Sequence, residues 1–570
     1  MSLEHTQTQT LVSALVERAN RDPNAVAITF IERGEHRQIT TGELLQETSR
    51  AAANLAAGGI GAGDLVILVL QHSLELIYSF CGAALLGAIP SIFPFLTEKL
   101  DSDLYRERVK LLVEHSGAKA VVTYSENFDP LSDLLNGLDV QVLDLSNVQR
   151  PMSGIEHGTL HPLASLRAGV GHWAPNISPD SIALLQHSSG STGLQKGVAL
   201  SHRAVLRQIE SYGAAIELNP GKDVIVSWLP LYHDMGLIAG FVMPLVTGTH
   251  LVLISPFEWV KQPGILLDAI SQHRGTLCWL PNFAYNHLAR TFRPKDGLDL
   301  SSWRAAINCS EPVYAESHQM LLEKLAPYGF SESALTVSYA MAENTFGVTQ
   351  TKIGEPPRVD TVEIAAVQER GEAIPAANGK RFVSCGAAID TVELRILDSD
   401  RNPLSDRRVG EIALKSEFML SGYFKRPDLT EQAMTKDGWY LTGDTGYLAK
   451  GELYITGRKK DLIIVGGKNI YPQDIEAIAN RTAGIHPGRA VAFGVLDERL
   501  GSEKVVVVAE AIEGADLAQA ERELRANIVQ ETEVTLGDLR FVPRGWIVKT
   551  SSGKHARSDN REKYLRDFGN

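Results

Sequence analysis

The sequence predicts an α/β protein: a large N-terminal domain of two parallel-type α/β subdomains plus a small β-barrel-like subdomain, followed by a small, mobile α+β C-terminal domain. Over the first two thirds of the chain, short β-branched runs alternate with amphipathic helical patterns, which favours parallel sheets covered by helices. Between about Phe382 and Arg458 the pattern changes to strands and turns. A length of 570 residues also exceeds what one hydrophobic core supports.

The alternating elements can be followed along the chain. A first strand, Asp64–Gln71, is followed by a helical pattern over Ser73–Gly87. Further strands are predicted at Ala118–Tyr124, Asp223–Leu229, His250–Ser255, Thr276–Leu280 (after the helix-like Gly264–Arg274) and Ala334–Met341. In the later part the predicted strands are Val392–Asp398, Gly410–Lys415, Trp439–Leu448, Leu453–Gly457, Arg489–Val495 and Lys504–Ala511, with a helix over Asp516–Val529.

These changes set the expected domain limits. We expect an N-terminal domain over 1–457, a hinge over 458–461 and a C-terminal domain over 462–570. Within the first domain the subdomains run roughly over 1–180, 181–380 and 381–457. The segment 354–380 is polar and rich in Glu, Pro and Gly, so it is an excursion or an inserted element.

Composition excludes several classes of protein. The chain is 44% hydrophobic and 22% charged, which is typical of globular proteins, and its net charge of −13 disfavours a nucleic-acid binder. Its four widely spaced cysteines suit a reducing compartment, so we expect a cytoplasmic protein. The most apolar region, Leu65–Phe95, is interrupted by charged residues and prolines, which favours a buried strand–helix pair over a membrane span.

The stretch Ser189–Gly197 reads Ser-Gly-Ser-Thr-Gly-Leu-Gln-Lys-Gly and follows an apolar strand. Small and hydroxylated residues expose backbone N–H groups, glycines permit close approach of a polyphosphate, and Lys196 adds a positive charge. The spacing differs from that of the usual P-loop. The stretch predicts a phosphate-binding loop; taken alone, it is also compatible with a flexible surface turn.

Four downstream side chains are candidates for chemistry. His233 and Asp234 follow a strand and open an apolar helical run, where Asp234 is equally explained as a helix N-cap. Glu343 ends a buried strand near the predicted loop, which suits a Mg²⁺ ligand, although a solvated Glu is as compatible. Asp444 follows a turn and could accept hydrogen bonds from ribose hydroxyls.

Two more signals lie towards the C-terminus. Gly457–Asp461 is a short charged stretch between differently patterned regions, as expected of a domain hinge. Lys554 is flanked by glycine and serines; it is a solvated tail residue unless a mobile domain delivers it to the active site. The basic residues around it could steer an acidic partner or form a solvated helix balanced by acids.

Together and in this order, these motifs resemble those of the adenylate-forming superfamily of acyl-CoA synthetases, luciferases and nonribosomal peptide adenylation domains. The resemblance covers essentially the whole chain. It implies two half-reactions: a carboxylate and ATP give an acyl-adenylate and pyrophosphate, and the acyl group then passes to a thiol. The segments Trp228–Leu237, Asn308–Val313, Gly354–Lys380 and Tyr471–Glu476 are most similar to those of the fatty acyl-AMP ligases, which use acyl carrier proteins.

The resemblance assigns roles residue by residue. It implies ATP and Mg²⁺ as cofactors, with Glu343 as the metal ligand. Catalytic roles fall on Lys554, which bridges the carboxylate and the α-phosphate, on His233, which gates the acyl tunnel, and on the hinge residue Lys460. The nucleotide-binding set comprises Ser189, Gly190, Ser191, Thr192, Gly193 and Lys196 on the phosphates, Ser310, Glu311, Pro312 and Tyr339 at the adenine, and Asp444 and Arg458 at the ribose.

The chain departs from the family pattern at Gln195, at Ala340 and after Lys554, and no departure removes an implied role. We expect a fatty acid as substrate, an acyl carrier protein (or CoA) as acceptor, and neither nucleic acid nor integral membrane association. An acyl-CoA ligase of the same fold, an aryl-acid adenylating enzyme and a non-catalytic nucleotide-binding relative are the alternatives.

Overall fold

The computed structural model describes residues 10–96, 102–145, 177–188, 196–465, 468–497, 502–532, 534–550 and 553–569. The first part of the chain alternates strands and helices, and α2 begins with a capping box in which Thr40 and Glu43 satisfy each other's backbone N–H groups. In chain order the elements are α1 (Leu11–Arg21), β1 (Val26–Glu32), β2 (Glu35–Thr40), α2 (Thr41–Ala57), β3 (Leu65–Leu68), α3 (Leu74–Leu85), β4 (Ile89–Ile92), α4 (Ser102–Ser116), β5 (Ala120–Thr123), α5 (Ser125–Leu134) and β6 (Gln141–Asp144).

The next part continues the alternation and supplies the edge on which the candidate site lies. Its elements are β7 (Ile182–Ser188), β8 (Lys196–Ser201), α6 (His202–Ala215), β9 (Val224–Ser227), a π-helix (Met235–Val242), α7 (Met243–Thr247), β10 (His250–Ile254), α8 (Pro256–Lys261), α9 (Gly264–His273), β11 (Leu277–Leu280), α10 (Asn282–Thr291), β12 (Ala305–Asn308), α11 (Ala315–Leu325), β13 (Leu335–Ala340) and β14 (Gly347–Gln350).

The region that follows is dominated by strands, as the pattern change predicts. It contains β15 (Val359–Val362), α12 (Ile364–Arg370), β16 (Lys380–Val383), β17 (Ala387–Ala388), β18 (Glu393–Leu397), β19 (Gly410–Lys415), β20 (Gly422–Tyr423), α13 (Pro427–Gln432), β21 (Tyr440–Ala449) and β22 (Glu452–Arg458). Strands β18, β19, β21 and β22 form an antiparallel sheet. The expected excursion is a hairpin of β15 and β16 that encloses α12.

The C-terminal part has its own buried core and begins after a 3₁₀ turn at Lys459–Asp461. Its elements are β23 (Ile463–Val465), β24 (Lys468–Ile470), α14 (Pro472–Ala479), β25 (Ile485–Asp497), β26 (Ser502–Ala511), α15 (Leu517–Thr532), β27 (Leu536–Val542) and α16 (Arg557–Phe568). Strands β25, β26 and β27 form one sheet that the helices cover, which is the predicted α+β arrangement.

Two large sheets form the N-terminal part, and they interleave along the chain. A nine-stranded sheet has the order β17-β14-β13-β12-β11-β9-β10-β1-β2, and a seven-stranded sheet has the order β20-β8-β7-β4-β3-β5-β6. The central pairs of both sheets are parallel. Both sheets draw strands from either side of residue 180, so strand pairing does not follow chain order. The domain limits given above stay predictions.

The apolar region Leu65–Phe95 folds as β3, α3 and β4, and every residue of these three elements except Glu75 is buried. Helix α3 approaches α2 closely because Gly82 has no side chain: a Cβ there would lie 2.7 Å from the Cβ of Ala51. A search of the described residues finds no helix with both the length and the hydropathy that crossing a bilayer requires.

Candidate active site

The site lies where parallel strands of the nine-stranded sheet end. Strands β9, β12 and β13 point the same way, and their carboxyl ends are followed by His233 and Asp234, by Ser310 and Glu311, and by Glu343. Ligands of open α/β sheets bind at this edge. The fold therefore collects on one edge residues that lie more than a hundred positions apart in the sequence.

Asp444 joins this edge to the four-stranded sheet. It lies on β21 opposite Arg458 of β22. One carboxylate oxygen accepts a 2.7 Å hydrogen bond from the hydroxyl of Tyr339, and the other accepts a 3.1 Å bond from Nε of Arg458. Burial, and next the charge of Asp444, raise the pKa of Tyr339, so its hydroxyl remains a donor. Three residues of the predicted nucleotide set are thus in direct contact.

Glu343 is 8% exposed and forms a second polar group at this edge. Its Oε1 accepts a 3.0 Å hydrogen bond from the hydroxyl of Tyr423, which lies 3.0 Å from the hydroxyl of Tyr440. The ammonium group of Lys196 lies 4.7 Å from the centroid of the Tyr423 ring. Burial raises the pKa of Glu343, and Lys196 partly offsets this. The carboxylate is held in an environment that disfavours its charge.

A buried carboxylate of this kind could take part in binding a magnesium ion. Among the residues that the structure describes, no three His, Cys, Asp or Glu side chains converge as a metal cluster. Mg²⁺ is usually held by only one or two carboxylates together with water and substrate phosphates. Glu343 could supply the one carboxylate that such a site needs, and the charge of Lys196, a predicted phosphate ligand, acts on it.

Asp234 and His233 occupy the turn between β9 and the π-helix. Asp234 caps that helix by accepting a 2.8 Å hydrogen bond from the N–H of Met235, so the capping alternative is correct for it. Burial, and next the charge of Lys554, lower the pKa of His233 to about 3, which keeps the imidazole neutral. Its Nε2 is buried without a partner among the described groups.

Lys554 reaches this edge from the C-terminal part of the chain. Its backbone is fixed by hydrogen bonds with Thr550: the N–H donates to Oγ1 at 3.1 Å, and the carbonyl accepts from N–H at 2.8 Å. The charges that act on its amine come from Arg458, Asp234 and Glu311. Burial and Arg458 lower the pKa of Lys554, and the two acids oppose that change. Lys554 is therefore near charged residues of this edge and not in a solvated tail, and its role in the site stays a prediction.

Lys460 lies in the 3₁₀ turn that joins the two parts of the chain. Burial and the charge of Arg458 lower its pKa, and Asp444 and Lys196 are also near enough to act on it. The predicted hinge thus adjoins the site itself. Whether the chain rotates there stays a prediction.

Ser310, Glu311 and Pro312 form the turn after β12. Ser310 has a φ of 72°, a conformation that costs energy for a residue other than glycine and that is concentrated at functional sites. Glu311 accepts a 2.8 Å hydrogen bond from the N–H of Phe283 at the start of α10. Pro312 follows and is exposed. The turn is rigidly built, and its proposed contact with adenine stays a prediction.

The predicted phosphate loop cannot be compared in the same way. Ser189, Gly190, Ser191, Thr192 and Gly193 lie outside the described residues. Their flanks are described: β7 ends at Ser188, opposite the first residue of β8. The loop therefore connects two antiparallel neighbours in the seven-stranded sheet.

Two groups of site residues were missed at the level of sequence. Tyr423 and Tyr440 hold Glu343, and nothing in their local sequence distinguishes them from core tyrosines. Arg557 donates to Asp461 at 2.8 Å and to both oxygens of Glu476. Arg557 appears in the sequence only as one residue of a basic C-terminal run. The glycine-flanked Lys554 three residues before it was the available signal.

Comparison with known proteins gives concordant similarities. The family model described as AMP-binding enzyme matches residues 15–424. A medium-chain-fatty-acid–[acyl-carrier-protein] ligase, JamA of Moorena producens, is 30% identical over 98% of this chain and 95% of its own. A long-chain-fatty-acid–AMP ligase, FadD26 of Mycobacterium marinum, is 30% identical over 98% of both chains. Another relative, fadD25 of Mycobacterium tuberculosis, is 30% identical over 98% of both chains and carries a fatty-acid–CoA ligase name.

Solved structures agree with these relatives. A structure from a study of fatty acyl-adenylate ligases of Escherichia coli and Legionella pneumophila has a TM-score of 0.87 at 29% identity, covering 100% of this chain and 99% of its own. A fatty acid AMP ligase from Legionella pneumophila has a TM-score of 0.74 at 30% identity, covering 100% and 98%.

Proposed function

Since the chain belongs to the AMP-binding enzyme family, we propose that it activates a fatty acid with ATP and then passes the acyl group to an acyl carrier protein. In the first half-reaction a carboxylate oxygen attacks the α-phosphorus of ATP. The bond between the α-phosphorus and its bridging oxygen breaks, and pyrophosphate leaves. In the second, the phosphopantetheine thiol of the carrier displaces AMP from the acyl-adenylate.

The first half-reaction is supported by Lys554, which is near enough to Asp234, Glu311 and Arg458 for their charges to act on its amine. Both reactants are anions, and the reaction spreads negative charge over the α-phosphate oxygens. A partly buried ammonium group held in place by the fold meets that charge at little reorganisation cost. No general base is needed, because the attacking carboxylate is already ionised.

The remaining groups would hold the nucleotide. Asp444 and Arg458 would hold the ribose, and Tyr339, whose hydroxyl is fixed by Asp444, would present its ring to the adenine beside the Ser310–Pro312 turn. Lys196 and the loop 189–193 would bind the β- and γ-phosphates. Glu343 would hold Mg²⁺, which when bound supplies charge neutralisation at the phosphates.

His233 would lie on the acid side of the site. Because its pKa is lowered to about 3 by burial and by Lys554, it remains neutral and does not form an ion pair with the substrate carboxylate. A neutral ring can turn aside or pack against an alkyl chain at small electrostatic cost. We therefore propose that it gates the acid tunnel by moving, without transferring a proton.

Ion pairs made by the inserted segment favour a carrier protein over CoA as the acceptor. Lys380 forms an ion pair with Asp474, and Glu369 lies 2.9 Å from Nζ of Lys468, so the insertion holds the C-terminal domain at two points. Contacts of this kind stabilise the orientation in which Lys554 faces the site. They also oppose the rotation that would open the site to a small free thiol such as CoA. A carrier protein can contribute docking energy of its own.

The state of the four cysteines bears on the cellular location. All four are buried free thiols, which suits a reducing compartment. We therefore propose that the reaction takes place in the cytoplasm.

The test is to incubate the protein with ATP, Mg²⁺ and a panel of acids, with CoA or with holo-carrier protein, and to identify the products by mass. We expect acyl-AMP with acids alone, acyl-carrier with the carrier protein and little acyl-CoA. Efficient acyl-CoA formation would replace the acceptor assignment by that of a CoA ligase. Preference for aryl acids would replace the substrate assignment.

A further inference from the structure

Lys554 lies in a loop whose described residues, 549–550 and 553–556, are bound to one another. Lys549 and His555 form an isolated antiparallel bridge, and Thr550 binds both the N–H and the carbonyl of Lys554. These contacts tie the backbone of Lys554 to Thr550 and that of His555 to Lys549. Where its lysine points depends on what anchors the loop from outside.

The anchors are on the core of the C-terminal domain. Nζ of Lys549 donates to the carbonyl of Gly488 at 2.7 Å. Just beyond the loop, Arg557 grips Glu476 with two parallel hydrogen bonds of 2.9 and 2.6 Å, and Nδ1 of His555 lies 3.5 Å from the same carboxylate. Glu476 is 6% exposed. A bidentate pair this well buried fixes direction as well as distance.

The remaining nitrogen of the same guanidinium, Nη1, reaches the hinge. Nη1 of Arg557 donates to Oδ2 of Asp461 at 2.8 Å, and Asp461 directly follows Lys460. Both side chains are largely buried, at 20% and 13% exposure. One planar group thus joins the last residue of the predicted hinge to the core of the C-terminal domain, three residues after Lys554.

We propose that Asp461, Glu476 and Arg557 are positioning residues that couple the hinge to Lys554, so that formation of the acyl-adenylate depends on them and acyl transfer does not. The inference rests on the proposed function. When the hinge closes, the ion pairs of Arg557 with Asp461 and Glu476 fix the orientation of the loop. The amine of Lys554 is then placed correctly at the α-phosphate. In the transfer step Lys554 has no role, so small errors in its placement cost nothing.

The test is the variant Asp461→Asn, which keeps the shape of the side chain and removes its charge. We expect the rate of acyl-AMP formation to fall between about 10- and 100-fold, the range that a misplacement of about 1 Å produces. The KM for ATP should change little, because the side chain of Asp461 is bound to Arg557 and has no proposed contact with ATP. Transfer from supplied acyl-AMP to the carrier should keep its rate, which also reports that the variant is folded.

A double-mutant cycle separates positioning from a general structural effect. If Asp461 acts through Lys554, then Asp461→Asn costs less than about twofold in a Lys554→Ala background. Additive losses would overturn the proposal, as would equal losses in both half-reactions or an unchanged rate of acyl-AMP formation. If Asp461→Asn does not fold, Asp461→Glu, which displaces the charge by one methylene group, is used with the same expectations.

Asp538→Asn is the matched control. Asp538 belongs to the same domain and binds Arg540 at 2.9 Å and the hydroxyl of Tyr564, away from the lysine loop. Its substitution should leave both half-reactions unchanged, and a loss there equal to that of Asp461→Asn would contradict a specific role. If the wild-type protein activates no acid, the proposed function fails; if it does and Asp461→Asn is inert, only this inference fails.

Discussion

Replacing Lys554 by methionine should separate the two half-reactions. The side chain keeps its approximate length and loses the charge that lies among Asp234, Glu311 and Arg458. Loss of one preorganised donor to developing negative charge costs about 10²–10³ in rate, or about 2.7–4 kcal/mol. We expect that decrease in acid-dependent pyrophosphate release. Transfer from supplied acyl-AMP should change by less than about twofold, because the proposed rotation at the hinge withdraws the amine from the α-phosphate before AMP leaves.

The pH dependence gives this prediction its sign. Burial and Arg458 lower the pKa of Lys554 below the usual 10.5, so the amine loses its proton at a lower pH than an exposed lysine. Pyrophosphate release by the wild-type protein should therefore decline as pH rises, before an ordinary lysine would titrate. Lys554→Arg, which stays charged, should be slower and lack that decline.

Both half-reactions are followed separately, by pyrophosphate release and by mass detection of the acylated carrier. Lys563→Met is the control, because Lys563 lies on α16 and donates to the carbonyl of Trp546, far from the charges that surround Lys554. Equal losses of adenylation and transfer in Lys554→Met would contradict a role of Lys554 in adenylation alone. An alkaline decline that persists in Lys554→Arg would refute the assignment of that titration to this amine.

Three further predictions concern single side chains. Glu343→Gln should slow pyrophosphate release about 10²-fold and raise the Mg²⁺ concentration needed, as a magnesium titration would measure; an unchanged requirement would contradict its role. Arg304→Met removes the positive charge that pairs with Asp223, which is only 5% exposed, and should cost about 3–5 kcal/mol in denaturant unfolding, whereas Lys222→Met should cost almost nothing. Burial alone would raise the pKa of Glu476, but Arg557 and His555 lower it to about 2 from 4.5. That stabilisation is present above about 4.5 and disappears as pH falls to about 2, so thermal melts of the wild type should lose more stability over that window than those of Glu476→Gln.

Local elements could be predicted from the sequence because the buried faces of helices and strands place apolar residues at short, regular intervals along the chain. The strand before His233 and the strand that ends at Ala340 were both predicted within a few residues. Strand order was not predictable in this way. Ile28 of β1, for example, pairs with Leu251 of β10. A hydrophobic run indicates that a strand is buried, but it does not indicate which strand lies beside it.

The candidate site divides similarly. Asp444 and Arg458 lie in motifs with a recognisable order, and the structure brings them together with Tyr339. The partners of Arg557 lie 81 and 96 positions away, so no local pattern contains the pair. From the sequence alone, an arginine in a basic run cannot be distinguished from an exposed surface residue. Its pairing with a buried carboxylate becomes visible only in the folded structure. Long-range ion pairs of this kind are the part of the site that required coordinates.

We propose that residues from both domains act on one triphosphate, so that a carboxylic acid displaces its two outer phosphates. Acid-dependent exchange of labelled pyrophosphate into ATP by the purified protein measures this displacement directly. We predict exchange that requires a fatty acid and that is lost in both Lys554→Met and Asp444→Ala. Absence of exchange with every acid offered, or exchange that needs neither residue, would contradict the account.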